Sequence, residues 1–222
     1  INAWRYVEGV MRDVCREFAY KEIRTPIFEH TELFNRGIGD TTDVVEKEMY
    51  TFQDRGKRSI TLRPENTASV VRSFVENKMY ANPLPVKVYY IGPMFRYDRP
   101  QAGRMRQFHQ FGIEAIGSSS PAIDAEVILL SLTVLKRLGL QDLKLKINSV
   151  GCPKCRPVHR KLLQDFLRPN FDKLCPDCQS RFDRNPLRIL DCKNDDCRKY
   201  TEGAPKITDC LCDECKEHFQ KV

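Results

Sequence analysis

The chain contains one tryptophan and four histidines, and it has no apolar run long enough to cross a bilayer, which excludes a membrane-spanning helix. It shows no repeat of fixed period and no low-complexity tract, so solenoid and array architectures are set aside. The opening run Ile1-Asn2-Ala3-Trp4-Arg5 lacks the basic lead, apolar core and cleavage site of a signal peptide. It also lacks an initiator methionine, so we expect the chain to begin inside a longer protein. Cysteine, by contrast, is plentiful.

The 222 residues suffice for one large domain or two small ones, and 41% hydrophobic with 30% charged residues is ordinary for a soluble globular protein. A net charge of +7 and a pI near 8.9 favour an anionic partner without identifying one. Of the ten cysteines, Cys15 sits alone in an amphipathic stretch and reads as an inert core thiol. The other nine lie between 152 and 215. An odd count, repeated Cys-x-x-Cys pairs and no export signal argue against a secreted disulfide scaffold. They favour reduced thiols in a cytoplasmic protein, with a metal as one use for them.

Trp4 to Tyr20 places Val7, Val10, Met11, Val14, Cys15 and Phe18 at helical spacing. Ile23 to His30 is short and extended with Pro26 inside it, which suits an edge or an interface. A short helix is expected over Glu32–Arg36 and a polar, mobile loop over Asp40–Lys47. Tyr50–Gln53 and Ile60–Arg63 read as strands around the turn at 54–57. Pro64 then opens a helix reaching about Met79, with Glu65 complementing its dipole. Ser118–Pro121 caps a helix over Ala122–Leu138, and Leu143–Val150 alternates as a further strand. Composition changes at Gly151, giving expected domains of 1–151 and 152–222. In the second, short helices are expected near 157–168, 176–183 and 205–221.

The most informative stretch is 92–116. Val86–Ile91 approaches a tight Gly92-Pro93 bend; Arg96, Arg99, Arg104 and Arg106 follow, and an alternating run returns from Phe108 to Ile116. This predicts two antiparallel strands joined by an arginine-rich loop. Four permanent cations around one hairpin suit a polyphosphate. Phe108, Gln110 and Glu114 fall on one face of the returning strand, offering a ring, an amide and a carboxylate beside that charge. His109 points to the opposite face and reads as a structural histidine.

At these residues the chain resembles motif 2 of class II aminoacyl-tRNA synthetases. The run Arg-Pro-Gln-Ala-Gly-Arg-Met-Arg-Gln-Phe-His-Gln over 99–110 is similar to the bacterial histidyl-tRNA synthetase family in particular. Thr61-Leu62-Arg63-Pro64-Glu65-Asn66-Thr67 resembles that family's amino-acid-binding segment, Trp4–Phe28 resembles motif 1, and Asn185–Asp191 resembles a further segment of the bacterial enzyme. The resemblance implies an α+β fold: a mixed, mainly antiparallel sheet flanked by helices, then a small cysteine-rich, mostly helical insertion. It implies ATP-dependent activation of L-histidine and transfer to tRNA(His), with a homodimer formed through residues 1–28. Glu65, Thr67 and Gln110 would hold the substrate ammonium, and Glu114 would fix the imidazole tautomer. Arg96 would bridge the substrate carboxylate and the α-phosphate of ATP, delivered with Mg²⁺, while Phe108 stacks on adenine. Asp98 stands where a glutamate usually reads the adenine amino group, one methylene short of it. Arg104 and Arg106 would reach either the terminal phosphates or the tRNA acceptor end.

Nothing after residue 117 resembles motif 3, and no Leu-Val-Arg-Gly-Leu-Asp-Tyr-Tyr segment is present. We therefore expect the chain to be half of a catalytic domain plus an insertion, inactive by itself. Cys152-x-x-Cys155 and Cys175-x-x-Cys178 are knuckles at zinc-like spacing. Cys192, Cys197, Cys210, Cys212 and Cys215 would complete that site or make a second, and structural Zn²⁺ would fold the insertion without entering catalysis. Two other readings remain: a synthetase-like regulatory subunit of histidine biosynthesis, and a zinc-dependent RNA-binding module over 152–215.

Overall fold

A computed structural model of the chain describes residues 1–38, 42, 44–99 and 101–222, with the backbone alone at Ile38 and Glu46. It divides into two compact units, Ile1–Leu143 and Lys144–Val222. The change of composition at Gly151 thus falls inside the second unit.

The first unit is built on a long hairpin, β5 (Val86–Phe95) and β6 (Gln107–Ile116), antiparallel in continuous register from Val86↔Ile116 to Phe95↔Gln107. A two-residue strand, β1 (Lys21–Glu22), pairs parallel to β5, so the sheet order is β1-β5-β6. A second, antiparallel sheet has the order β2 (Phe28–His30), β4 (Ser59–Leu62), β3 (Tyr50–Gln53). Helices α1 (Asn2–Glu17), α2 (Thr31–Ile38), α3 (Thr67–Glu76) and α4 (Pro121–Arg137) accompany them.

Alternation along the hairpin divides the core. Tyr89, Ile91, Phe111, Ile113 and Ala115 face one way, packed with Val10, Val14 and Cys15 of α1 and Leu130 and Val134 of α4. Val88, Tyr90, Met94 and Phe108 face the other way, against Val70 of α3. Cys15 is fully buried in the first layer, and burial pushes its thiol up to about 12, as an inert core thiol requires. Ser120 caps α4 by accepting the Ala122 N–H, with Pro121 in the first turn.

Several expectations need correction. No bend occurs at Gly92-Pro93, because β5 runs straight through both to Phe95. The N–H of Phe95 donates to Arg63, away from β6, so by alternation the missing N–H of Pro93 also lies off the β6 ladder and costs it nothing. Of the strand expected over Ile23–His30 only Phe28–His30 forms one, β2; β1 ends just before it at Glu22, and Pro26 lies in the gap between them. The helix expected from Pro64 begins at Thr67, with Asn66 at its N-cap and the Glu65 carboxylate accepting its first N–H groups, and it ends at Glu76. Leu143–Val150 forms no strand: it lacks a ladder partner among the described residues, and Leu143, Leu145, Ile147 and Val150 are exposed. Of the loop expected over Asp40–Lys47, residues 40, 41 and 43 lie outside the described residues, and Val44–Glu48 forms one wide helical turn. Pro100 of the hairpin motif is also outside them.

The second unit is a set of short helices: α5 (Cys155–Leu167), α6 (Pro176–Arg184), α7 (Asp195–Thr201) and α8 (Asp213–Lys221), linked by 3-10 turns. Leu163, Leu167, Leu174, Cys178, Phe182, Ile189 and Cys197 form its core. Helix α7 was not foreseen, although Asn194 caps it by accepting the Asp196 N–H, and two acidic residues open it.

Candidate functional site

The loop from β4 into α3 is organised by Arg63, which is 6% exposed. It donates to the carbonyls of Pro93 at 2.9 Å and Thr25 at 3.1 Å, tying β5, the β1–β2 gap and the start of α3 together. A side chain at position 92 would put its Cβ 2.5 Å from Arg63 Nη2, so Gly92 is what admits the guanidinium. Burial holds this guanidinium below its usual range. The sequence places Arg63 within the 61–67 motif without marking this role, because its partners Thr25 and Pro93 are distant along the chain.

Glu65 then turns back on the helix it precedes. Its two carboxylate oxygens accept the Thr67 N–H at 2.6 Å and the Ala68 N–H at 2.9 Å. These are among the first free donors of α3, which gives Glu65 a capping role as well as a place beside the site. Thr67 reaches the other way: its hydroxyl donates to Glu114 Oε1 at 2.7 Å, joining α3 to β6. Burial raises the Glu114 carboxyl above the ordinary 4.5, opposed by the Thr67 bond and assisted by Glu65.

Phe108, Gln110, Gly112 and Glu114 do lie on one face of β6, opposite Met94, Gly92, Tyr90 and Val88 of β5. The side-chain oxygen of Gln110 is buried and finds no hydrogen-bond partner among the described residues. Such an acceptor is costly to leave unmet, so it marks where a donor would be accommodated. Tyr90 was missed by sequence reading. It fills the space over Gly112, its phenol pushed up to about 12 by burial beside Thr67, Glu114 and Glu65. The even spacing of 88, 90, 92 and 94 was the available signal.

Arg96 leaves the end of β5, donates from Nε to the Pro64 carbonyl at 2.8 Å, and lies over the Phe108 ring at 5.3 Å. Its backbone N–H bonds to Arg106, closing the hairpin. Asp98 pairs with Arg104 at 3.1 Å and accepts the Arg99 N–H at 2.8 Å. Arg106 stacks on Tyr97 at 3.9 Å. His109 stacks on Trp4 at 4.6 Å, on the face away from Gln110, as alternation predicts. A cleft of about 490 Å³ beside Glu65 and Thr67 is lined by Leu33, Val71, Val75 and Arg72 of α2 and α3. Gln110, Glu114 and Arg96 are not among its lining residues.

In the second unit the cysteines form two groups. Cys152 and Cys155 lie with Cys212 and Cys215, while Cys175 and Cys178 lie with Cys192 and Cys197. The two knuckles singled out from spacing are therefore in separate groups and do not share one.

The overall fold recurs in solved proteins. The apo histidyl-tRNA synthetase of S. aureus matches with a TM-score of 0.75 and 45% identity, over 99% of this chain and 49% of that one. An ATP phosphoribosyltransferase regulatory subunit/histidyl-tRNA synthetase from Bacillus halodurans C matches with a TM-score of 0.58 over 88% of this chain and 49% of that one. At 21% identity it shows a common fold alone. The fold is that of the class II aminoacyl-tRNA synthetases.

The family profile described as Histidyl-tRNA synthetase matches residues 2–156. A Histidine--tRNA ligase of Desulforamulus reducens is 64% identical over 222 residues, 100% of this chain and 53% of the relative. The chain belongs to the histidyl-tRNA synthetase family, and it spans about half the length of the curated relatives it matches.

Proposed function

We propose that this chain carries the histidine-binding part, and the α-phosphate-binding part, of a histidine–tRNA ligase. That enzyme would activate L-histidine with ATP and pass it to the acceptor end of tRNA(His). The observation that carries this reading is the Thr67–Glu114 hydrogen bond beside the unpartnered Gln110 oxygen, on one strand face leading to Arg96. An amino acid supplies what these groups lack: the ammonium donates to Gln110, Thr67 and Glu65, and an imidazole N–H donates to Glu114. Glu114 enters already oriented by Thr67, so little freedom is lost on binding.

Adenylation requires control of charge. The histidine carboxylate attacks the α-phosphorus, pyrophosphate leaves, and negative charge builds on the equatorial oxygens. Arg96 stabilises both carboxylate and phosphate from a position held by the Pro64 carbonyl. ATP arrives as its Mg²⁺ complex, which neutralises the leaving pyrophosphate. Phe108 provides a face for adenine, and Asp98 reads the adenine amino group once it exchanges its bond with Arg104. Arg104 and Arg106 serve the terminal phosphates or the acceptor end.

The rest of the site belongs to sequence beyond this chain, and we assign turnover to the intact protein only. Exposed Trp4, Tyr6, Ile27 and Phe28 support a homodimer through residues 1–28. No helix among the described residues is long and apolar enough to cross a membrane. From its likeness to histidine–tRNA ligases we place the enzyme in the cytoplasm.

The test is Arg96→Ala in the intact protein. Histidine-dependent ATP–pyrophosphate exchange should fall by at least about 10²-fold, the cost of one lost electrostatic donor, with the circular dichroism spectrum unchanged. Near-normal exchange would falsify the role of Arg96.

A further inference from the structure

The geometry points to two separate zinc ions in the second unit, each held by four cysteine thiolates: an outer site of Cys152, Cys155, Cys212 and Cys215, and an inner site of Cys175, Cys178, Cys192 and Cys197. The four sulfurs of each group all lie within 4.8 Å of one another. Tetrahedral zinc with Zn–S bonds of about 2.3 Å sets its sulfurs about 3.8 Å apart. The sulfurs of Cys152 and Cys155 are 3.6 Å apart, and those of Cys152 and Cys212 are 3.9 Å apart. In the inner group Cys175 and Cys192 are 3.9 Å apart. A disulfide needs about 2.05 Å, so none of these is a bonded pair.

The backbone agrees. The N–H of Lys154 points at the Cys152 sulfur and that of Cys212 at the Cys155 sulfur, at 3.4 and 3.1 Å. In the inner group the N–H of Cys175 points at Cys197 and that of Asn194 at Cys192, at 3.1 and 3.5 Å. Donors aimed at sulfur stabilise thiolate, the form that binds metal. Cys210 lies outside both groups, its thiol directed to the Lys206 carbonyl, which accounts for the odd cysteine in this region.

The two sites are nested along the chain, and nesting gives them different work. The inner four cysteines sit in or against the small core with Leu163, Leu167, Phe182 and Ile189, so that ion completes the core itself. The outer four join the first turn of α5 to the first turn of α8, so that ion clamps the ends of the module. A module of under roughly 80 residues seldom buries enough apolar surface to hold itself together and needs such staples. With four protein sulfurs per ion no position is left for substrate, which makes both sites structural.

The test is metal analysis of the intact protein, purified without chelator, beside four variants. Relative to the parent, Cys155→Ser and Cys178→Ser should each lose one equivalent of zinc, the double variant two, and Cys210→Ser none. Because Cys178→Ser removes a core residue and risks misfolding, a variant-free measurement accompanies it: ¹¹³Cd NMR of the cadmium-exchanged protein should show two tetrathiolate resonances. A single such resonance, iron in place of zinc, no metal at all, or intact masses showing disulfides would overturn the proposal. So would loss of the same single equivalent in both single variants.

Discussion

Position 112 offers a direct test of how the hairpin builds the site. Gly112 faces Tyr90 across the β5–β6 ladder. An alanine Cβ there would lie 2.1 Å from Tyr90 Cζ and 2.3 Å from its Oη. Carbon atoms in contact rest about 3.5–4.0 Å apart, so the ring would have to retreat by about 1.5 Å. Tyr90 is 5% exposed and packs with Val70, Val88 and Met94, which leaves it nowhere to go. Overpacking of this kind costs about 1–3 kcal/mol. At a urea m-value of about 1–3 kcal/mol/M the unfolding midpoint should fall by about 0.3–3 M. The assay is urea unfolding followed by tryptophan fluorescence. The only tryptophan is Trp4, stacked on His109 of β6, so the signal reports docking of this hairpin on α1. Gly9→Ala is the control: nothing lies within 4 Å of its added Cβ, and within α1 the change should stabilise by about 0.5–1 kcal/mol. Tyr90→Leu should absorb much of the Gly112→Ala penalty, with a coupling of about 1 kcal/mol. If Gly112→Ala is no worse than Gly9→Ala, or if the two substitutions simply add, Tyr90 is not wedged against Gly112 and the account of this face is wrong.

Two further outcomes follow from buried groups. Because burial raises the Glu114 carboxyl, its carboxylate is lost as pH falls through a value above the ordinary 4.5, and histidine affinity measured by calorimetry on the intact protein should weaken there. Glu114→Gln should cost about 10–150-fold in affinity, the worth of a bond to a charged group. It should also stabilise the fold at neutral pH, since the half-buried charge lowers stability once pH rises through the raised value; a variant less stable at neutral pH than the parent would contradict this. Cys15→Ser should destabilise by about 1–3 kcal/mol, because it buries a hydroxyl in a predominantly apolar cluster, and native Cys15 should resist thiol reagents until unfolding. Rapid labelling of Cys15 in the native state would contradict its placement.

Much of the first unit was legible because its signals are local. The period of α1, the caps of α4 and the turn between β3 and β4 each arise from residues a few positions apart. The hairpin face holding Phe108, Gln110 and Glu114 follows from alternation, which needs no knowledge of the rest of the fold. Where reading failed, a distant partner was decisive. Leu143–Val150 has the pattern of a strand, but a strand exists only with a ladder. Pro93 looked like a bend, yet it is accommodated because its missing N–H lies off the β6 ladder.

The sequence by itself therefore determined the family, the charge around the hairpin, the set of side chains on one strand face and the presence of metal-type cysteine pairs. These depend on residue identity and short spacing. Only the tertiary structure decided that Arg63 is the buried tie beneath the loop, that Tyr90 occupies the space Gly112 leaves, and that Gln110 keeps a buried acceptor free. It also decided which cysteines stand together, since Cys152 meets Cys212 sixty residues on and passes over Cys175. Spacing along a chain does not say which of several equally plausible loops will close; that choice is made by the packing of the helices between them.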